Sequence, residues 1–272
     1  MIKSPLRYPG GKSRVAEKIA RLIPPFEEFR EPFVGGGSIF IYLRQKFPHK
    51  KFWINDIYTD LAVFWQQIKA NDEVVISQIQ QWKNEFQNGK ELHQFLRENK
   101  NAFDEIKQAA AFFVFNRITF SGTTEAGGFS QQAFEKRFTP SSIERLKVLP
   151  VLLDGVKITN LDYREIIEEK GEKVSLYLDP PYFSATNSAL YGKNGKLHKV
   201  FDHREFSEKM EKCFHKWLLT YDDSEFIRRQ FSFAKISDWN LTYGMRNVTE
   251  KSDQKATELF ISNYLSENTK TD

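Results

Sequence analysis

Apolar residues return along this chain at two different spacings. Val174-Ser175-Leu176-Tyr177-Leu178 is short and nearly all apolar, and it predicts a buried strand. Phe29 to Val34, Lys51-Phe52-Trp53-Ile54, Val156 to Leu161, Trp217 to Tyr221, Ala234 to Ser237 and Glu258 to Tyr264 predict further strands. Elsewhere the apolar positions recur every three or four residues. Val15, Ile19, Leu22 and Ile23 share one face of a helix that Pro24-Pro25 stops, and Ile39-Phe40-Ile41-Tyr42-Leu43 opens another. From Leu61 to about Phe115 the spacing is helical (Leu61, Phe64, Trp65 and Ile68, then a set from Val74 to Trp82), broken at Asn88-Gly89. The glycine-rich stretch Ser121 to Gly128 interrupts the pattern again, and Asp222-Asp223-Ser224 caps a helix starting at Glu225. The order predicts an α/β unit, residues 1–58 and 156–272, holding a mainly helical insertion at 59–155.

Four residues that end the clearest strand carry the most chemistry. In Asp179-Pro180-Pro181-Tyr182 the two prolines cannot donate to a ladder, so a carboxylate is left at the C-terminal edge of the strand, where open α/β sheets bind ligands. Asp179 and the Pro180 carbonyl can accept the two N–H hydrogens of an exocyclic amine while Tyr182 lies against a flat ring. A plain stop signal with an N-capping acid is an equal reading of these residues taken alone. Upstream, Glu31-Pro32-Phe33-Val34-Gly35-Gly36-Gly37-Ser38 joins a strand to a helix start through three glycines. The dinucleotide fingerprint G-x-G-x-x-G is not completed there, so no pyrophosphate site is implied. Asp56 ends the next strand about twenty residues on, an offset that suits ribose hydroxyls. Together these point to an adenosine-type ligand, for which S-adenosylmethionine fits better than NAD. Tyr8-Pro9-Gly10-Gly11-Lys12-Ser13 fails as an ATP-binding loop, because Leu6 stands where the first glycine belongs. Lys12 can meet a ligand carboxylate there, or be a solvated loop lysine.

In this order, Tyr8-Pro-Gly-Gly-Lys12, Glu31 to Ser38, Asn55-Asp56, Phe115-Asn-Arg-Ile-Thr-Phe-Ser-Gly122, Asp179-Pro-Pro-Tyr182 and Glu258-Leu-Phe-Ile-Ser-Asn-Tyr264 resemble the Dam-type DNA adenine-N6 methyltransferases. The resemblance spans almost the whole chain. It implies a Rossmann-like methyltransferase sheet, mostly parallel with an antiparallel edge hairpin, and an inserted helical target-recognition domain. It further implies S-adenosyl-L-methionine as cofactor, contacted by Tyr8, Lys12, Phe33, Gly35, Gly37, Asp56, Asp162 and Asp179. Asp179, Pro180 and Tyr182 are the implied catalytic set, receiving the target adenine.

Composition constrains the partners. In 272 residues, Lys+Arg 40 against Asp+Glu 36 leaves a formal charge of only +4, so DNA binding depends on local patches. Cys213 is the single cysteine, which excludes an internal disulfide and a cysteine zinc site, and five scattered histidines lack metal-ligand spacing. No apolar run reaches membrane length and no secretory h-region opens the chain, which reads as cytosolic and, with a DNA substrate, nucleoid-associated. Around the glycine-rich loop, Asn116, Arg117, Ser121, Lys136, Arg137 and Arg145 are candidate DNA contacts, Arg suiting guanine and Asn adenine; a solvated basic face is the plainer alternative. Ser184 to Val200, with Lys193, Lys196, His198 and Lys199, is long and basic enough to close over a base and hold phosphates, and an ordinary disordered surface loop is the alternative reading. Asn240 to Lys255 is the expected connection of the edge hairpin.

The expected reaction is methyl transfer to N6 of an adenine flipped from double-stranded DNA, without a metal. Rivals are the same chemistry on protein glutamine, RNA adenine or cytosine N4, a silent DNA-binding module, and a small-molecule enzyme. Asp rather than Asn or Ser at 179, with the insertion, favours DNA adenine. A monomer is the default expectation, and a restriction endonuclease is a candidate functional partner.

Overall fold

The computed structural model describes residues 1–8, 10–122, 127–184, 201–240 and 257–264. Its centre is a seven-stranded sheet of β1 (Glu28–Glu31), β2 (Lys51–Asn55), β3 (Lys157–Thr159), β4 (Val174–Leu178), β5 (Lys216–Asp222), β6 (Lys235–Asn240) and β7 (Thr257–Ser262), in the order β3-β2-β1-β4-β5-β7-β6. The first five strands in that order run parallel, while β7 is antiparallel to both β5 and β6. This is the mixed sheet with an edge hairpin that the family resemblance implies.

Both faces of the sheet are covered, and the period of two along each strand decides which side chain goes where. Phe29, Phe52, Ile54, Tyr177, Leu218 and Phe260 face one core. Trp53, Val174, Leu176, Leu178, Trp217, Leu219, Tyr221, Leu259 and Ile261 face the other. Against the first face lie α1 (Ala16–Leu22) and α2 (Ser38–Lys46), through Ile19, Phe40 and Leu43. Against the second lie α10 (Tyr163–Glu168), α11 (His203–Lys212) and α12 (Glu225–Gln230), through Ile166, Ile167, Phe206, Met210 and Ile227.

Between β2 and β3 the chain forms α3 (Thr59–Ala70), α4 (Asp72–Glu85), α5 (Gly89–Asn99), α6 (Glu105–Ile118), α7 (Gln131–Arg137), α8 (Pro140–Glu144) and α9 (Leu149–Leu153). These helices share the first core with the sheet: Phe64, Trp65, Phe112 and Phe113 join the same cluster as Phe40 and Phe52. Asn88 caps α5 and Asp104 caps α6, each accepting from backbone N–H groups of the first turn. Buried Asp60 on α3 accepts Lys100 at 2.5 Å and Gln108 at 2.6 Å, tying three segments of the insertion together.

Element ends depart from the apolar pattern where a polar side chain intervenes. β1 stops at Glu31 because Pro32 has no N–H, and the Pro32 carbonyl turns to accept Asn55 Nδ2 at 3.0 Å. β3 is shorter than the apolar run around it, since Leu161 N–H donates to the Asn55 side chain instead of to a strand. The stretches 185–200 and 241–256, with Lys193 and Lys199, lie outside the described residues, as do 123–126 of the glycine-rich loop.

A buried cation locks the second layer. Arg30 on β1, 1% exposed, donates to the carbonyls of Ile166, Glu169 and Lys170 at the C-terminal end of α10 and to Glu28 at 2.6 Å. Those carbonyls have no intrahelical partner, so the guanidinium acts as a cap from another element. Arg30→Met should therefore lower unfolding free energy by about 3 kcal/mol, the scale of breaking a buried pair from one side. Urea unfolding at unchanged slope is the measurement, and a loss below about 1 kcal/mol would contradict the role.

Candidate active site

The C-terminal ends of the parallel strands converge on one edge, and four of the five deliver an acid to the cluster: Glu31 from β1, Asp56 after β2, Asp179 after β4 and Asp222 from β5. Asp179 is the most accessible member of the central group, its side chain 24% exposed. Its Oδ1 accepts Thr220 Oγ1 at 2.7 Å and Lys12 Nζ at 3.0 Å, and its Oδ2 accepts Lys12 at 2.9 Å. Thr220, buried on β5, is bonded in turn to the Tyr177 hydroxyl at 3.0 Å. Pro180 is buried, and its carbonyl has no hydrogen-bond donor among the described residues. Asp222 accepts the backbone N–H groups of Phe183 at 2.9 Å and Ser184 at 2.8 Å, folding the chain back after Tyr182.

Lys12 is buried, and its three ammonium protons meet the Gly10 carbonyl, the Asp179 carboxylate and the Tyr182 hydroxyl. The resemblance assigned Lys12 to the cofactor; the structure joins it to the two residues expected to hold the base. The Tyr182 hydroxyl donates onward to Glu258 Oε1 at 2.8 Å, and its ring stacks on Tyr221 with centroids 5.9 Å apart. Burial, then the nearby charges of Asp179 and Glu258, hold the Tyr182 phenol well above its usual range, so it is a neutral donor.

The glycine turn lies beside this cluster. Gly35 (φ +46°) and Gly37 (φ +67°) both occupy the left-handed region that glycine alone adopts readily. A Cβ on Gly35 would stand 2.9 Å from the Tyr8 ring, and one on Gly37 would stand 2.9 Å from Trp65. Asp56 closes the turn: Oδ2 accepts Gly35 N–H and Oδ1 accepts Tyr58 N–H, both at 3.0 Å. Burial pushes Asp56 up to about 6 against the pull of those two hydrogen bonds. Buried Glu31 accepts Phe40 N–H at 2.9 Å, and burial raises it well above the carboxylate range. Phe33 stands opposite as part of an aromatic wall with Tyr163, Phe201 and Phe206 at 5.5 to 6.0 Å. Asp162 is the N-cap of α10, its carboxylate paired with Arg164 at 2.7 Å and held below its ordinary value by that pairing.

The candidate DNA contacts divide. Asn116 is 0% exposed and turned inward: it accepts Arg7 N–H at 2.9 Å and donates to the Arg7 carbonyl at 2.6 Å and the Gly122 carbonyl at 3.3 Å. It therefore clamps the N-terminal loop to α6 rather than presenting an amide at the surface. Arg117 is 5% exposed, stacked on Phe113, with Nε unpartnered among the described residues. Burial first, then the like charges of Arg145, Arg7 and Arg137, press it below its usual range. Arg137 is exposed on α7, and Ser121 lies in the short turn Phe120–Gly122. The bridge Thr119–Phe129 and the bonds Phe120 N–H to Gly128 O and Ser130 N–H to Ile118 O close the base of that loop.

Sequence reasoning missed Glu258 and Thr220 as members of the cluster, although each is a polar residue directly beside an apolar run, Leu259-Phe260-Ile261 and Trp217-Leu218-Leu219. It also missed Arg7, whose position depends on a partner 109 residues away.

Comparison with known proteins agrees with this architecture. Residues 8–245 match the family model of D12 class N6 adenine-specific DNA methyltransferases. The Type II methyltransferase M.MjaIII of Methanocaldococcus jannaschii is 31% identical over 97% of this chain and 99% of its own. A DNA adenine methylase of Vibrio cholerae is 27% identical over 70% of each chain. The Type II methyltransferase M1.LlaDCHI of Lactococcus lactis is 24% identical over 95% of this chain and 94% of its own. A family match across most of the chain, joined to a carboxylate, prolines and tyrosine at the central strand's end, makes the chain a member of the D12 class of N6 adenine-specific DNA methyltransferases.

Proposed function

We propose that Asp179, the Pro180 carbonyl and Tyr182 receive an adenine rotated out of duplex DNA, beside a cofactor seated on the glycine turn. The observation that carries this reading is the pairing of a fixed carboxylate with a free carbonyl: Lys12 and Thr220 hold Asp179, and nothing described donates to Pro180.

The enzyme transfers a methyl group from S-adenosylmethionine to adenine N6 in DNA, and the residues of the turn fit that cofactor. Gly35 and Gly37, lacking a Cβ, let Tyr8 and Trp65 pack directly on the turn and keep its backbone open to close approach. Phe33 would line the methionine half, Asp56 keeps lone pairs for ribose hydroxyls, and half-buried Asp162 would face the adenine. The bound cofactor supplies a sulfonium methyl, a strong electrophile. Adenine N6 is a poor nucleophile, because its lone pair is delocalised into the ring. Hydrogen bonds from N6 to Asp179 and the Pro180 carbonyl favour a more tetrahedral nitrogen and free that lone pair. Orientation of the amine for in-line attack supplies much of the remaining rate. Asp179 then accepts the proton that the cationic nitrogen must lose.

Reaching N6 costs a few kcal/mol of unpairing and unstacking, which stacking on Tyr182 offsets by about 1–3 kcal/mol. Residues 59–155 form the DNA reader. Arg7, Arg117, Arg137 and Arg145 form a cationic group with no carboxylate partner among the described residues, which suits a phosphate. Lys193 and Lys199 add phosphate contacts from the segment after Tyr182. The enzyme works as a nucleoid-associated monomer, and the type II names of two relatives support pairing with a restriction endonuclease.

Incubation with tritiated S-adenosylmethionine and unmethylated duplex DNA, followed by nucleoside analysis, should yield N6-methyladenine; label in cytosine, RNA or protein would overturn the substrate. Asp179→Ala should abolish transfer while circular dichroism and thermal unfolding stay near those of the parent chain. Tyr182→Ala should lower turnover far more than cofactor affinity, and equal losses would remove the stacking role. Because Asp56 titrates near 6, its carboxylate is ionised at neutral pH and loses an acceptor as it protonates. Cofactor affinity, measured by calorimetry, should therefore fall as pH drops through that value, and Asp56→Asn should bind weakly with no such dependence.

A further inference from the structure

Glu258 enters the cluster from β7, a strand that runs against the direction of those bearing the other acids. Its side chain is 1% exposed. Oε1 accepts the Tyr182 hydroxyl at 2.8 Å, while Oε2 has no hydrogen-bond partner among the described residues and lies 3.9 Å from Lys12 Nζ. The same Lys12 donates to the Tyr182 hydroxyl at 2.9 Å and holds both oxygens of Asp179. A carboxylate buried with one oxygen unpartnered is costly, and an apolar residue such as Phe260, next on the same face, would fill the strand position without that cost. The position gains something other than stability.

We infer that Glu258 is a positioning residue for methyl transfer: through the Tyr182 hydroxyl and the Lys12 ammonium it holds the stacking ring and the Asp179 carboxylate in the orientation that receives the base. The inference rests on the assignment of Asp179 and Tyr182 to the target adenine. An aromatic ring carried just beyond two prolines has freedom about its side-chain torsions, and a hydroxyl held from both sides removes it. Tyr182 donates to Glu258 and accepts from Lys12, so the ring plane is set before any base arrives. The ionised carboxylate makes that bond charge-assisted and therefore stronger than a neutral one.

The charge on Glu258 is pH-sensitive in the working range. Burial pushes it up to about 7 against the opposing pull of Lys12, with Asp179 and Asp222 adding to burial and the Tyr182 hydroxyl opposing it. Tyr177 on β4 also faces the group and stays neutral. Below that value Glu258 is protonated and Tyr182 loses its anionic acceptor; above it the acceptor returns. Turnover rises with pH through this window.

The test measures kcat, KM for DNA and cofactor affinity across the neutral range, with tritiated S-adenosylmethionine and unmethylated duplex DNA. The variants are Glu258→Ala, Glu258→Gln, Tyr182→Phe and the Glu258→Ala/Tyr182→Phe double. Glu258→Ala and Tyr182→Phe should each lower kcat roughly tenfold, the scale of one lost charge-assisted hydrogen bond, with cofactor affinity unchanged. The double variant should be no worse than the poorer single, since both remove the same bond. Glu258→Gln, a neutral acceptor that mimics the protonated acid, should hold kcat near the parent's low-pH level across the range and lose the rise near pH 7. Additive losses in the double variant, full kcat in Glu258→Ala, or an unchanged pH profile in Glu258→Gln would each overturn the inference. Should Glu258→Ala not fold, Glu258→Gln and Tyr182→Phe decide the matter alone. Failure of the underlying reading would be distinct: the parent chain itself would then leave no N6-methyladenine in the DNA.

Discussion

Five acids crowd the C-terminal edge of the sheet, and their mutual repulsion in a buried setting is the constraint on which the site depends. Glu31, Asp56, Asp179, Asp222 and Glu258 come from five different segments. Two of them escape by accepting backbone N–H groups at chain reversals, Asp56 at the glycine turn and Asp222 after Tyr182. Burial raises Glu31 well above the carboxylate range, and it accepts Phe40 N–H. Asp179 and Glu258 share Lys12, which lies within 3.9 Å of both carboxylates. That one ammonium holds both oxygens of Asp179 in place, and so links the N-terminal loop to the central strand.

The N-terminal loop is consequently more than a leader to α1. Its Tyr8 packs on the glycine turn, its Lys12 binds the central carboxylate, and its Arg7 backbone is clamped by Asn116 of α6. A methyltransferase must bring cofactor, base and DNA reader into register. Here Arg7, Tyr8 and Lys12 of one loop touch the structures proposed for each. The shared hydrophobic core beneath the insertion makes the same connection by packing, since Trp65 of α3 donates to the Gly35 carbonyl at 3.2 Å.

Sheet topology explains why the acids meet at all. Parallel strands deliver their C-terminal ends to one edge, and β7 contributes Glu258 there because an antiparallel strand brings its N-terminal residues to that edge. A fully parallel neighbour would have put the equivalent residue at the far side of the sheet. The edge hairpin, a detail of topology, is thus what supplies the acceptor for the Tyr182 hydroxyl.

Much of this was written in local pattern. Apolar runs marked the strands, bounded by proline or glycine at β1, β3 and β4, because burial on both faces demands apolar residues and proline ends a ladder wherever it falls. Asp179-Pro180-Pro181-Tyr182 and the three glycines announced a ligand edge for the same reason: backbone chemistry at those residues is independent of distant neighbours. What the sequence could not reveal is pairing across distance. Lys12 and Asp179 are 167 positions apart, Tyr182 and Glu258 are 76, and Arg7 and Asn116 are 109. Asn116 and Arg117 read locally as exposed donors, yet packing of α6 among α3, α4 and the N-terminal loop buried both. A polar side chain declares its chemistry in one dimension, but its partner is chosen only when the chain closes in three.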